Sequence, residues 1–191
     1  MPVITVSGHS RKVGKTSIAE GLIAALPEYC WTALKVSSHR HCGDFEKDCA
    51  VFEETGRDGG NDTSRFLRAG ARRAFRIIAE QIETAIPALR DTIKDTHYVV
   101  IEGNSVLDYI AADFSILVLN GNVAEFKESA RNILSRADVF VLIRENAEPP
   151  EWENLLEAAP KNIRRFETPD PRIFPPALTE LLRSRFIPGE Y

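Results

Sequence analysis

A short loop near the N-terminus contains the residue types that bind phosphate groups. Residues 8–16 read Gly-His-Ser-Arg-Lys-Val-Gly-Lys-Thr and follow an apolar, β-branched run at 2–7. Backbone N–H groups of such a loop, and of the helix N-terminus after it, point at phosphate oxygens, and the helix dipole favours their negative charge. Gly14 lets the backbone approach closely, Lys15 can reach the β- and γ-phosphates, and Thr16 offers a hydroxyl to Mg²⁺.

The loop therefore predicts a site for a nucleoside triphosphate with Mg²⁺. The alternative is a chance Gly-Lys-Thr at a helix start, and the strand-like run before the loop argues against it. We expect nucleotide contacts from the whole loop and the start of the helix, namely Gly8, His9, Ser10, Arg11, Lys12, Val13, Gly14, Lys15, Thr16 and Ser17.

The loop is longer than the common phosphate-loop motif. Five residues separate Gly8 from Gly14, where that motif has four. In this length the loop resembles that of dethiobiotin synthetase and its relatives, a class of P-loop proteins that includes dimeric, partner-activated NTPases. Some members of that class carry a second lysine five residues before the invariant one. Here that position holds Ser10, with Arg11 and Lys12 beside it.

An acidic residue at the end of another strand is the expected partner of such a loop. Residues 99–103 read Val-Val-Ile-Glu-Gly, a β-branched run that ends in an acid and a glycine. We predict that Glu102 holds Mg²⁺ or its water, and that Lys15 and Glu102 are the catalytic pair. Asp62, or less favourably Asp44, is expected to add a second carboxylate. The predicted metal ligands are thus Thr16, Asp62 and Glu102.

Histidine and cysteine residues cluster after the predicted second strand. His39, His41, Cys42 and Cys49 could supply four zinc ligands, although their spacing matches no closed zinc module. An exposed polar loop is one alternative. In the other, His39 and His41 line a nucleotide or substrate pocket.

Strands and helices alternate along the chain, which predicts an α/β fold around a mostly parallel sheet. We expect a P-loop NTPase three-layer sandwich in a single domain over residues 1–191. The predicted strands lie at 2–7, 31–36, 98–101, 114–119, 139–143 and 163–166. The predicted helices lie at 16–26, 62–89, 124–134 and 177–185, with a short helix after residue 148 and a long loop over 38–61.

The segment 62–89 shows apolar residues at helical spacing. This period predicts one long helix whose buried stripe is Leu67, Ala71, Phe75, Ile78, Ile82, Ile86 and Leu89. Four arginines would flank that stripe, as a solvated face or as a face that binds an anion. They are Arg65, Arg68, Arg72 and Arg76.

Composition narrows the class of protein. The chain has 191 residues, 43% hydrophobic and 27% charged, as is ordinary for a globular domain. A net charge of -4 argues against a broad nucleic-acid surface. No apolar run approaches the roughly 20 residues of a membrane helix, and nothing at the N-terminus resembles a signal peptide. We therefore expect a cytoplasmic protein with reduced thiols that binds neither membrane nor nucleic acid.

Four motifs in this order resemble the molybdopterin-guanine dinucleotide biosynthesis protein B (MobB) family. They are the loop at 8–16, Leu-Lys-Val-Ser-Ser-His-Arg-His at 34–41, Asn-Asp-Thr-Ser-Arg at 61–65 with Ala-Gly-Ala at 69–71, and Ile-Glu-Gly at 101–103. The likeness covers residues 1–105. After Gly103 the family has an aromatic-lysine pair, whereas this chain has Asn104 and Ser105.

The resemblance implies a GTP-binding homodimer that assists attachment of a GMP moiety to molybdopterin. Its partners would then be a molybdopterin-type ligand or a cofactor-assembly protein. The nucleotide and Mg²⁺ roles of the family fall on Lys15, Thr16 and Glu102, and its pocket roles on His39, His41 and Asp62.

Three functions follow from these motifs. The first is a slow, partner-stimulated GTPase in molybdenum cofactor biosynthesis, and the second is an ATP-dependent carboxylate ligase like dethiobiotin synthetase. The third is a nucleotide-gated metallochaperone, supported by the His/Cys cluster. The choice between GTP and ATP stays open because the Asn-Lys-x-Asp guanine signature is absent after the strand at 139–143. Asn120 and Asn122 could still contact a base edge.

Overall fold

One eight-stranded sheet forms the centre of the computed structural model, which describes residues 1–38, 49–144 and 149–188. Its strands are β1 (Val3–Gly8), β2 (Thr32–Ser38), β3 (Cys49–Glu54), β4 (Arg73–Ala79), β5 (Val99–Glu102), β6 (Phe114–Asn120), β7 (Val139–Ile143) and β8 (Arg164–Thr168). Their spatial order is β3-β4-β2-β5-β1-β6-β7-β8. Strand β3 is antiparallel to β4, and the other neighbouring strands are parallel.

The central strands are buried along their whole length because helices cover both faces of the sheet. Every residue of β1, β5 and β7 is buried, as expected for parallel strands inside an α/β protein. The helices are α1 (Lys15–Ala25), α2 (Asp62–Ala69), α3 (Ile82–Ile93), α4 (Glu128–Leu134) and α5 (Pro176–Arg185). Apolar residues of α1, α2 and α5 pack on one face, and those of α3 and α4 on the other. The result is a three-layer α/β sandwich.

Most of the strands and helices predicted from the sequence are confirmed, with ends that shift by one or two residues. The helix predicted at 124–134 begins later, at Glu128. The short helix predicted after residue 148 is a 3₁₀-helix over Glu153–Ala158. The predicted loop over 38–61 is wrong in part, since Cys49–Glu54 within it form β3, the antiparallel edge strand of the sheet.

The prediction of one long helix over 62–89 is wrong. This segment contains helix α2, strand β4 and helix α3 in succession. The first helix ends at Gly70, whose φ of 112° lies in the left-handed region that favours glycine. The N–H of Ala71 then donates to the Phe66 carbonyl at 3.0 Å, which closes the helix end. The residues of the predicted stripe are buried as expected, but they are divided among α2, β4 and α3, with Ala71 between α2 and β4.

The predicted arginine face is wrong for the same reason. Only Arg65 and Arg68 lie on α2, because Arg72 follows it and Arg76 belongs to β4. Arg65 forms an ion pair with Glu20 on α1 at 2.5 Å. The four side chains therefore do not form one surface that could bind an anion.

The end of α2 gives a direct test of this correction. We expect Gly70→Ala to lower the free energy of unfolding by about 1–2 kcal/mol, since an L-residue is strained in the left-handed region. In one continuous helix the same change would raise stability by about 1 kcal/mol. Urea unfolding of Gly70→Ala separates the two outcomes. Gly60→Ala is the control, because a Cβ added there meets no atom within 4 Å.

Candidate functional site

The carboxyl ends of β1, β2 and β5 meet at one edge of the sheet, and the phosphate-loop sequence lies there. Strand β1 ends at Gly8, and helix α1 begins at Lys15 immediately after Gly14. Gly14 has a φ of 101°, which turns the chain from the loop into the helix. A Cβ added to Gly8 would lie 2.6 Å from a Val13 methyl carbon, so the loop folds tightly over the end of its strand. The sequence forms the predicted strand, loop and helix.

Lys15 lies across this loop. Its Nζ donates to the Ser10 carbonyl oxygen at 2.8 Å. Burial lowers the pKa of Lys15, and the nearby Glu102 carboxylate opposes that shift. The ammonium therefore already bonds to an oxygen of the loop, from which it can transfer to an incoming phosphate oxygen.

Glu102 connects the loop to the neighbouring strand and helix. The Thr16 hydroxyl donates to Glu102 Oε2 at 2.8 Å, and Lys35 Nζ donates to Glu102 Oε1 at 2.5 Å. Lys35 also pairs with Asp62 Oδ2 at 3.0 Å, at the first residue of α2. The structure thus brings the three predicted metal ligands together. Thr16 and Glu102 lie on one side of the Lys35 ammonium group, and Asp62 lies on the other.

Lys35 is the cation that balances these two acids. Glu102 is only 1% exposed, and a buried carboxylate is costly unless it is paired and hydrogen-bonded. Burial alone would lower the pKa of Lys35, but attraction to Glu102 and hydrogen bonds to Glu102 and Asp62 raise it above its ordinary value. Lys35 is therefore charged at neutral pH, between two carboxylates whose oxygens are also suited to Mg²⁺.

A row of charged side chains extends from Glu102 toward the sheet edge. Lys35 on β2 is in register with Glu102 on β5, and Arg76 on β4 is in register with Lys35. Residues in register on neighbouring strands share one face of the sheet. These three side chains line a cavity of about 640 Å³ that also contains Lys15, Asp62 and Lys127.

The side chain of His9 turns away from this cavity into the protein. It is fully buried, and its ring lies 4.8 Å from the Trp152 ring between centroids. Its Nε2 accepts from the Asn120 N–H at 3.1 Å, so the proton is on Nδ1, which donates to the Glu125 carbonyl at 3.0 Å. Burial lowers the pKa of His9 to about 4, so the ring is neutral. Only the backbone of His9 could contact a phosphate.

Two further hydroxyls of the loop region also bond to protein groups. Ser10 donates to the Glu125 carboxylate. Ser17 accepts from Arg65 on α2 at 2.9 Å. Arg11 and Lys12 are exposed, and Arg11 lines the cavity.

Asn104 fixes the end of β1. Its side-chain amide donates to the Gly8 carbonyl at 2.8 Å, and its side-chain oxygen accepts from the Gly8 N–H at 3.0 Å. The residue is where the sequence departs from the MobB pattern. In this chain it supports the phosphate loop from the turn that follows β5.

Comparison with known proteins identifies the fold. No protein-family model and no curated protein sequence matches this chain. The structure of HypB from Helicobacter pylori in complex with nickel has a TM-score of 0.62 at 15% identity, covering 97% of this chain and 86% of HypB. The "apo" form of LpxK from Aquifex aeolicus, in complex with ATP, has a TM-score of 0.52 at 19% identity. The match covers 87% of this chain, which spans about half (53%) of the LpxK chain.

The chain has the P-loop NTPase fold. The predicted three-layer sandwich with a mostly parallel sheet is therefore confirmed. At these identities the likeness establishes the fold alone. Among the described residues, every helix is too short or too polar to span a bilayer.

The predicted histidine and cysteine site lies mostly outside the described residues. His39, His41, Cys42 and Asp44 fall within residues 39–48. Cys49 begins β3 and is half-buried. Within the described parts of the chain, no three His, Cys, Asp or Glu side chains are grouped to hold a metal ion. The roles predicted for His39 and His41 stay predictions.

Several cavity residues have no role in the nucleotide site predicted from the sequence. Lys35 lies within the motif that resembles MobB, and Asn104 is a departure from that motif. Arg76 belongs to the predicted arginine face of a long helix that the structure does not contain, and Lys127 lies just before α4. A signal for Lys35 and Asn104 is present, because polar residues near the carboxyl ends of neighbouring parallel strands collect at one edge. No local signal places Arg76 or Lys127 at this site.

The buried, neutral His9 predicts a pH dependence of stability. Its pKa is about 4 in the folded protein against 6.5 for the free side chain, so the unfolded chain binds more protons between these values. The contribution of His9 to the free energy of unfolding is therefore greatest above pH 6.5, and it is lost as the pH falls toward 4. From about pH 7.5 to about pH 5.5, wild type should lose about 1 kcal/mol more free energy of unfolding than His9→Asn.

Urea unfolding at both pH values measures that difference. The titration of Asp and Glu side chains affects wild type and His9→Asn equally, so it cancels in the comparison. His97→Asn replaces an exposed histidine and serves as the control, with the wild-type pH dependence expected. Parallel pH dependences of wild type and His9→Asn would contradict the assignment of His9.

Proposed function

We propose that the chain binds a nucleoside triphosphate with Mg²⁺ at residues 8–16 and hydrolyses it slowly. The observation that carries this proposal is the hydrogen bond between Thr16, directly after the phosphate-loop lysine, and Glu102 at the end of the neighbouring strand. A loop hydroxyl beside a strand-end carboxylate is the arrangement that P-loop NTPases use for Mg²⁺. Gly14 and Lys15 add the loop geometry and the phosphate-binding cation.

The residues around Lys35 fit a magnesium ion. Thr16, Glu102 and Asp62 offer hard oxygen ligands, and Mg²⁺ needs one or two carboxylates together with water and phosphate oxygens. Both carboxylates already face one positive charge, the ammonium of Lys35. When bound, Mg²⁺ would supply charge neutralisation at the β- and γ-phosphates.

The residues of the chain then act by positioning and charge. Lys15 exchanges the Ser10 carbonyl for phosphate oxygens, and the N–H groups at the start of α1 face the same oxygens. Slow turnover follows from the acids of the cavity. Within the described residues that line it, the carboxylates are Asp62 and Glu102, and both are ion-paired with Lys35. In the nucleotide complex these carboxylates would face Lys35 or Mg²⁺, so neither would be free to accept a proton from the attacking water, and we infer that a partner accelerates the reaction.

The finer assignment is a GTP-binding accessory protein of molybdenum cofactor biosynthesis. Its support is the ordered set of four motifs that resembles the MobB family, within residues 1–105. Under this assignment the protein is a single-domain, cytoplasmic homodimer. Its partner is a molybdopterin-type ligand or a cofactor-assembly protein.

Two other functions each have a specific observation in their favour. The loop with five residues between its glycines favours an ATP-dependent carboxylate ligase of the dethiobiotin synthetase type. The fold likeness to HypB, whose structure contains nickel, favours a nucleotide-gated metallochaperone. Carboxylate-dependent ATP turnover would identify the ligase. Stoichiometric binding of Ni²⁺ or Zn²⁺ by the purified chain would identify the metallochaperone.

Lys15→Ala tests the shared proposal of nucleotide binding. We expect it to abolish binding of a fluorescent GTP or ATP analogue, since hydrogen bonds to charged groups contribute about 1.5–3 kcal/mol each and Lys15 can make more than one. Titration of each analogue in the presence of Mg²⁺ gives the affinities and the base preference together. GTP is expected to bind more tightly than ATP.

Lys161→Ala is the control. It removes an exposed lysine that does not line the cavity, and it should bind both analogues like wild type. Unchanged affinity in Lys15→Ala would refute the nucleotide site. A strong preference for ATP would refute the assignment to the GTP-dependent accessory function and leave nucleotide binding intact.

A further inference from the structure

We propose that the cavity contains a second subsite, centred on Arg76, that binds the phosphate or carboxylate group of a co-substrate beside the γ-phosphate. The inference rests on the proposed nucleotide function and adds to it the chemical class of a second ligand. Arg76 and Ser37 line the cavity on the side of β4 and β2, on one face of the sheet. Lys127 lines the same cavity on the side of the loop, where its N–H donates to the His9 carbonyl.

The position of Arg76 sets it apart from the nucleotide loop. Between β1, which leads into the loop, and β4, which carries Arg76, lie β5 and β2. Neighbouring strands are about 4.8 Å apart, so the Arg76 backbone is roughly 14 Å from β1 across the sheet. That is too far for a first contact with the phosphates held by the loop. It suits a group that lies next to the terminal phosphate.

The cavity is lined by more cationic than anionic side chains, so some cations remain to bind another anion. Its described lining includes five cationic side chains (Arg11, Lys15, Lys35, Arg76 and Lys127) and two anionic ones (Asp62 and Glu102), an excess of three positive charges in a chain whose net charge is -4. Lys35 is paired with both acids, and Lys15 serves the loop. Arg76 and Lys127 form no ion pair with a carboxylate of the described residues.

Phe52 orients the Arg76 side chain. The guanidinium carbon lies 5.1 Å from the centroid of the Phe52 ring, which is in register on β3. A guanidinium stacked on an aromatic face keeps its N–H edges for hydrogen bonds, and two parallel N–H groups match the spacing of two oxygens of a phosphate or carboxylate. Ser37, on the same face of β2 as Lys35, also lines the cavity, and its hydroxyl can donate to a further oxygen of the anion.

Isothermal titration of the full chain, already saturated with Mg²⁺ and a non-hydrolysable triphosphate analogue, tests this subsite. The analogue fills the γ-phosphate position, so added inorganic phosphate must bind elsewhere. We expect wild type to bind one phosphate ion, and Arg76→Met to bind it at least about tenfold more weakly, from loss of a charge-assisted hydrogen-bond pair. A parallel titration with malonate shows whether the subsite also accepts carboxylates.

Arg73→Met is the matched control. Arg73 is on the same strand but on its opposite face, in an exposed pair with Glu53, and does not line the cavity. It should bind phosphate like wild type. Arg76→Lys keeps the charge without the paired N–H groups, so it should also bind more weakly than wild type. It provides a second test if Arg76→Met folds poorly.

The outcomes separate the two proposals. If the analogue binds and phosphate does not, or if Arg76→Met and Arg73→Met bind phosphate equally, the subsite is wrong and the nucleotide function stands. If the analogue itself fails to bind, the nucleotide function is wrong and the subsite falls with it. Weakening in both Arg76 variants, with analogue affinity unchanged within about twofold, supports the subsite.

Discussion

The buried carboxylate of Glu102 is the constraint on which the site depends. With 1% of its surface exposed, it requires compensation from within the protein, and it receives one hydrogen bond from α1 and one ion pair from β2. Removing a partner from a buried pair costs about 3–5 kcal/mol, so the contacts of Thr16 and Lys35 are structural requirements as well as functional ones. The strand order places β5 between β1 and β2, where both partners can reach the acid.

Contacts on the protein side of the phosphate loop, away from the cavity, stabilise the loop without contacting a bound phosphate directly. Asn104 pairs with both backbone groups of Gly8, and the neutral His9 ring joins Asn120 to Glu125. The Lys127 N–H donates to the His9 carbonyl at 3.0 Å, which fixes the segment before α4 to the loop. A loop fixed in this way is ordered before its ligand arrives, which lowers the entropic cost of binding.

The sequence predicts this site well where its signals are local. The loop at 8–16 and the strand that ends in Glu102 each follow from a few adjacent residues. The prediction of one helix over 62–89 is wrong because the apolar residues of this segment also fit a helical period, and the decisive residue, Gly70, is compatible with a helix interior at modest cost. The roles of Lys35 and Arg76 depend on strand order and register. Those are set by pairing between distant segments, and no single stretch of sequence encodes them.

The proposed magnesium and nucleotide site can be tested by a crystal structure with Mg²⁺ and a non-hydrolysable GTP analogue. We expect the triphosphate within the loop at 8–16, and Mg²⁺ held by Thr16 with Glu102 or Asp62, directly or through water. We also expect Lys35 to move out of contact with Glu102, since the metal would take over the charge compensation that Lys35 provides. Phosphates bound away from the loop, or Mg²⁺ bound without either carboxylate while Lys35 keeps its ion pair, would contradict this proposal.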